Sequence, residues 1–252
     1  MKGVGFFVGA ALLAGIGFVA SVLAMAAVLA VILVAVWLAM PPGLPRGRRG
    51  VQMKEVFSTS ANVNRLSAAR VFLFGARDVW FVVGIPVYFY AVLSDGSEAG
   101  NRAAFFLIGG FMATWTILYA AVQASAPRLL RARTRPEAEL IRAARGWAWT
   151  LAVIPAALSL AALLAPVGLL LFGAVFAVNS SLHSYLILAF TRAERVTMDV
   201  GVYYMANAAG RLAGTVLSGL SYQLGGLALM LGLAAAMVAG AGFAAGRLTP
   251  DP

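Results

Sequence analysis

Almost all the chemistry this chain can offer is carried by a few polar side chains set inside long apolar stretches. Arg77 and Asp78 are adjacent, and Arg211 lies in a second apolar stretch. Asn179 and His183 are four residues apart in a third, and Tyr203 and Asn207 are four apart just upstream of Arg211. A separation of four places two side chains on one helix face, so these residues form short polar stripes. An arginine's planar fork pairs bidentately with phosphate or carboxylate. Arg77 and Arg211 together therefore predict a bound anion, with Asn179, His183, Asn207 and Tyr203 as further substrate contacts. The same residues admit a second arrangement, in which Arg77 or Arg211 pairs with Asp78 as an interhelical ion pair. Adjacent residues diverge by about 100° around a helix, which turns Asp78 away from Arg77 and into helix packing; a carboxylate there is also a candidate for proton coupling. His183 is the sole histidine. It is the second proton-coupling candidate, because an unperturbed imidazole titrates near neutral pH; alternatively Ser180, Ser181 and Ser184 hold it as a hydrogen-bonded structural residue.

Such groups need helices that cross a bilayer to position them. Of 252 residues, 62% are hydrophobic and 11% charged, more apolar than a single soluble core requires. Roughly 20 helical residues cross a hydrocarbon layer of about 30 Å, and apolar stretches of that order recur along the chain. They predict an all-α polytopic membrane protein with eight spans, at 2–17, 21–40, 68–93, 103–126, 146–164, 166–190, 197–222 and 226–246. The run from Lys2 to Met40 is nearly twice the hydrocarbon thickness, so it is expected to fold back around Gly15, Gly17 and Ser21. Pro41, Pro42, Gly43 and Pro45 end the second helix. Residues 41–66 then read as a cytoplasmic central linker dividing a two-helix part, 1–40, from a six-helix bundle, 67–252. Gly5 with Gly9, Gly210 with Gly214, and Gly240 with Ala244 mark faces where helices pack closely.

A net charge of +10 would point to nucleic acid in a soluble protein. Here the cations sit in loops between apolar spans, where Lys and Arg are retained on the cytoplasmic side, so no nucleic-acid partner is expected. With the N-terminus inside, eight spans place fifteen of the nineteen Lys and Arg residues in cytoplasmic segments, mostly at 46–54 and 128–145, and leave only Arg102 outside. Arg70, Arg77 and Arg211 remain within spans. Arg77 lies roughly 13 Å from the expected start of its span, near the midplane. Arg70 shares its face but falls near the headgroups, where snorkelling is the simple reading. The lipid bilayer is thus a partner, and both termini are cytoplasmic. The bias of arginine over lysine, with abundant Ala and Gly, fits a bacterial inner membrane.

Enzymatic chemistry has little to stand on. There is no cysteine, one histidine makes no metal site, and neither GxSxG, HExxH nor GxxxxGK[ST] occurs. Neither an enzyme nor a cofactor is expected. Tyr203, Tyr204, Trp115 and Tyr119 either line a pore or pack helices, and Trp147 and Trp149 read as interface anchors.

Six helices after a linker, with a strongly basic loop at 128–145 between the second and third, resemble the C-terminal half of a major facilitator superfamily transporter. More specifically, the segments 64–88 and 198–215 are similar to organoarsenical efflux permeases of the ArsJ type, above all in ARDVWFVVG (76–84) and YYMANAAGRLAG (203–214). The resemblance implies secondary active export of 1-arseno-3-phosphoglycerate, formed when glyceraldehyde-3-phosphate dehydrogenase uses arsenate in place of phosphate, which makes that dehydrogenase a functional partner. Two anionic ends on the cargo suit two buried arginines. The superfamily has twelve helices, so the eight expected here correspond to the fifth to the twelfth, and a four-helix N-terminal segment is expected as a partner. Another organic anion or drug as cargo, or a non-transporting membrane subunit, remain open alternatives.

Reporter fusions after Arg49, after Arg135 and at Pro252 are expected to report cytoplasm, and an insertion at Gly96 periplasm. A cytoplasmic signal at Gly96 would refute the eight-span topology.

Overall fold

A computed structural model describes residues 2–41, 57–131 and 134–250. Most of the expected linker lies outside the described residues, as do Arg46, Arg48, Arg49, Lys54 and Arg133. The described residues are helical, with no strand among them: α1 (Lys2–Ala39), α2 (Ala61–Phe81), α3 (Gly84–Leu93), α4 (Glu98–Leu129), α5 (Glu137–Leu160), α6 (Ala165–Ala189) and α7 (Val196–Ala245).

Five helical stretches are long and apolar enough to cross a membrane: Gly5–Ala39, Ala61–Leu93, Glu98–Leu129, Ala162–Ala189 and Val196–Ala245. The eight expected spans are thus not resolved as eight. Two differences come from glycines within unbroken hydrogen-bonded runs. Gly17 departs from helical geometry inside α1 (φ 76°, ψ 176°), and Gly226 does so inside α7 (φ 60°, ψ −154°) together with Gly225. Positive φ is a conformation that glycine adopts without strain. The third difference is α5, which has the length but carries Glu137, Glu139, Arg142 and Arg145 in its N-terminal part.

The chain forms two compact units, Met1–Glu55 with Phe89–Thr114, and Val56–Tyr88 with Trp115–Pro252. In the first, α1 is apolar on every side and mostly exposed, with Phe18, Trp37 and Leu38 all outward; such a helix belongs in lipid or a large core. The expected packing face at Gly5 and Gly9 is not used, since a Cβ at either meets nothing within 4 Å. Contact is made instead at Ala10, whose Cβ lies 2.1 Å from where a Cβ on Gly109 would stand. The polar turn between α3 and α4 is self-contained. The Ser97 hydroxyl accepts from the Gly100 amide at 2.9 Å and caps α4. Ser97 donates its hydroxyl to Asp95 at 2.7 Å and its amide at 2.9 Å, which holds the Asp95 carboxyl below its ordinary range.

The second unit is organised by α2 and α7. Ser60 caps α2, so the helix starts inside the expected linker. Two further ties secure this end: Ser58 donates to Asp199 at 2.7 Å, and Asn62 donates to the Thr249 carbonyl at 2.7 Å. Pro86 has no N–H for the Val82 carbonyl, which ends α2 and begins α3; the Gly84 amide is taken up by Ser218 Oγ of α7 at 3.0 Å. The two helices cross backbone on backbone. A Cβ on Gly210 would stand 2.3 Å from the Val71 carbonyl oxygen, and one on Gly214 2.3 Å from that of Gly75. Backbone atoms cannot swing aside, so both positions require glycine.

Gly214→Leu should therefore force α2 and α7 apart. Overpacking typically costs about 1–3 kcal/mol, and each kcal/mol moves the melting temperature by roughly 2–4 °C in a chain of this size. A fall of several degrees in detergent is expected, with Gly9→Leu close to wild type; equal stability of the two variants would contradict the crossing.

Candidate anion site

The crossing of α2 and α7 sets Asp78 opposite Arg211. The Asp78 side chain is 1% exposed and uses both oxygens. Oδ1 accepts from Arg77 Nε at 2.6 Å and meets Arg77 Nη2 at 2.5 Å, whereas Oδ2 accepts from Arg211 Nε at 2.9 Å. Of the arrangements open from the sequence, the ion pair with Asp78 is the one adopted. The expected divergence of Arg77 and Asp78 is corrected: their Cα–Cβ directions differ, but the long arginine side chain curls back to its neighbour. Arg211 is 51% exposed while Arg77 is mostly covered, so the carboxylate is buried and the group reaches the surface only through Arg211. The Arg77 guanidinium also lies over aromatic faces, 5.0 Å from the Phe74 centroid and 5.6 Å from that of Phe176, favourable placements for a cation.

A second polar group lies about two helical turns away on α2. Ser67, Arg70, Phe74 and Arg77 recur at three- and four-residue spacing and so share a face. Arg70 does not snorkel. The residue is 5% exposed, with Cζ 3.8 Å from the Phe74 centroid and 4.7 Å from that of Tyr203. The sequence reading missed this because α2 begins at Ala61, before the apolar stretch does. Arg70 is thereby about 14 Å along the helix and covered by protein. Its Nη1 donates to Ser180 of α6, to the carbonyl at 3.3 Å and the hydroxyl at 3.2 Å, and Nε has no partner. Among the described residues no ion pair reaches Arg70.

Asn179 and His183 flank Ser180 and are fully buried. Neither side chain has a hydrogen-bond partner in the protein. The expectation that neighbouring serines hold His183 is corrected: Ser184 donates to the Ser180 carbonyl at 3.0 Å, Ser180 serves Arg70, and both ring nitrogens are left unpaired. His183 lies within reach of the Arg70 charge. Ser67 Oγ is likewise buried without a partner, as is Asn207 Oδ1, while the buried Tyr203 hydroxyl lies toward Ser184 without a hydrogen bond of normal geometry. Tyr204 is exposed. The structure thus divides these residues into an Arg77–Asp78–Arg211 group and a group of Arg70 with Ser180, His183 and Tyr203, with Asn179 next to Ser180 in sequence and Phe74 touching both Arg70 and Arg77.

Aromatic rings wall this region. Phe74 meets Phe176 at 5.1 Å, Trp80 meets Trp115 and Phe172 at 5.6 and 5.3 Å, and Trp115 stacks on Tyr119 at 5.4 Å. Trp115 Nε1 donates to the Leu169 carbonyl at 2.8 Å and sits against Gly173, where a Cβ would come within 2.7 Å of it. Two surface recesses of about 280 and 510 Å³ lie elsewhere, lined by Arg142, Arg145, Arg247 and Trp149 among others. No group of three potential metal ligands occurs among the described residues. No family model, curated protein or solved structure matches the chain.

Because Asp78 pairs with two guanidiniums, its loss should be the most damaging single change in the group. Breaking a buried pair costs about 3–5 kcal/mol, whereas a half-exposed partner is worth roughly 1 kcal/mol or less. Melting curves should therefore place Asp78→Asn well below Arg211→Gln, with Asp78→Asn plus Arg211→Gln recovering part of the loss. Equal effects of the two single variants would show that Asp78 is not the hub.

Proposed function

We propose that the chain is the C-terminal part of a secondary active efflux transporter of major facilitator type, with eight spans in a bacterial inner membrane, that exports an anionic organoarsenical such as 1-arseno-3-phosphoglycerate. One observation carries the anionic part of this reading. In the second unit Asp78 is shared between Arg77 and Arg211 and the buried Asp199 is taken up by Ser58, whereas the buried Arg70 has no ion pair among the described residues. A charge placed in low dielectric costs several kcal/mol unless matched, so this unmatched cation favours an anionic occupant and disfavours a cationic one. The arsenical identity rests on the resemblance in residues 76–84 and 203–214, and the expectation of a partner four-helix segment rests on it too. Alternating access around a midplane site is what such a fold supplies. The glycine breaks at Gly17 and at Gly225–Gly226 support counting α1 and α7 as two spans each, and α5 supplies the eighth.

The test is arsenate resistance in a sensitive bacterium supplied with the dehydrogenase. Co-expression of the chain with a four-helix N-terminal segment should confer resistance and the chain alone little. Resistance from neither would remove the efflux reading, and full resistance from the chain alone would remove the need for a partner segment.

A further inference from the structure

We infer that the seat for the anion is Arg70 with Asn179 and His183, rather than Arg77 or Arg211, and that it takes a tetrahedral oxyanion of the phosphate or arsenate monoester class. The inference rests on the anion-transport reading above. Arg77 and Arg211 share the single charge of Asp78, whose two oxygens are both committed to them. Arg70 has no counter-charge among the described residues. Its neighbours are a serine and the faces of two rings, and such contacts do not cancel a full buried charge.

Ser67 on Arg70's own helix, and Asn179 and His183 beside its partner Ser180 in the α6 sequence, share one property. Arg70 Nε, both polar atoms of Asn179, both His183 nitrogens and Ser67 Oγ are all buried without a hydrogen-bond partner in the protein. Native proteins satisfy roughly nine-tenths of buried polar groups, so unmet polar groups that include N–H donors of Arg70, Asn179 and His183, together with a cation without an ion pair, mark a place where oxygen-rich, negatively charged chemistry belongs. A second cation would be repelled, and a neutral polyol would leave the charge unmet. A carboxylate offers two oxygens, whereas a phosphate-like monoester offers three to donors from two helices. With Asn179 and His183 fully buried, the seat is enclosed, and an anion enters when α6 parts from α2. That step breaks the Arg70–Ser180 hydrogen bonds and the Phe74–Phe176 and Trp80–Phe172 contacts.

The test uses the full chain purified in detergent, with melting temperature followed against inorganic phosphate and 3-phosphoglycerate, and potassium chloride at matched ionic strength. Wild type should be stabilised by both oxyanions beyond chloride. Arg70→Lys, which keeps the charge and loses the fork, should weaken the response about tenfold or more, and Arg70→Gln should abolish it. Asn179→Asp places a carboxylate beside Arg70, so it should raise stability without added anion and remove the anion response; it covers the case in which Arg70→Gln does not fold. Arg145→Gln and Arg247→Gln, in the basic surface recesses, should respond as wild type. The seat is overturned if wild type shows no response beyond chloride, or if Arg70→Lys and Asn179→Asp retain the full response. A response lost in Arg77→Gln and kept in Arg70→Gln also overturns it. Oxyanion binding through Arg70 without arsenate resistance would sink the efflux reading and leave the seat standing, whereas resistance that survives Arg70→Gln would sink the seat alone.

Discussion

Helices α2 and α7 meet where neither has a side chain to interpose, Gly75 on one and Gly210 and Gly214 on the other, with carbonyl oxygens standing where Cβ atoms would be. Where both partners can be solvated by apolar surroundings, close van der Waals packing between small residues is what holds helices together, and here it also sets the depth of every charged group. A side chain at Gly214 would separate the helices, and Asp78 would then lose Arg211. The Gly84 amide, released by Pro86, would lose Ser218. The crossing is therefore the constraint on which the polar interior depends.

Given that crossing, the interior is governed by unequal matching of charge. Asp78 is shared between Arg77 and Arg211, an arrangement that satisfies a carboxylate well but leaves each arginine with a partial counter-charge. Phe74 and Phe176 take up part of the difference as cation–π partners. Arg70 receives rings and a serine and, among the described residues, no carboxylate. Placing the aromatic wall of Trp80, Trp115, Phe172 and Phe176 alongside lowers the local dielectric, which strengthens whatever electrostatic contact an anion makes there. The same wall makes an unmatched guanidinium more costly, so the site is poised toward occupancy.

His183 and Asn179 illustrate how local sequence can mislead about satisfaction. Three serines nearby suggest a histidine held by hydroxyls, yet serine hydroxyls on a helix readily return to the carbonyl four residues back. Ser184 does so with Ser180, as Thr215 does with Arg211 and Thr191 with Ile187. The Ser184 hydroxyl is spent on its own helix and that of Ser180 on Arg70, and the imidazole is left without a partner in the protein.

Apolar content, the all-helical class and the need for interruptions at Gly17 and Gly225–Gly226 were legible in the sequence, because hydropathy and glycine's backbone freedom are properties of short windows. Gly210 and Gly214 were legible as a packing face for the same reason; Gly5 and Gly9 carry the identical pattern, yet a Cβ at either meets nothing within 4 Å among the described residues, so the pattern alone does not name a partner. Tertiary structure decided which charges meet. The Asp78–Arg211 contact joins residues 133 apart and the Arg70–Ser180 contact residues 110 apart. No window contains both members of either pair. Arg70 is the clearest case: its neighbours along the chain place it at a membrane edge, and only the capped start of α2 at Ser60, with α6 and α7 closing over it, makes it a buried cation without a counter-ion.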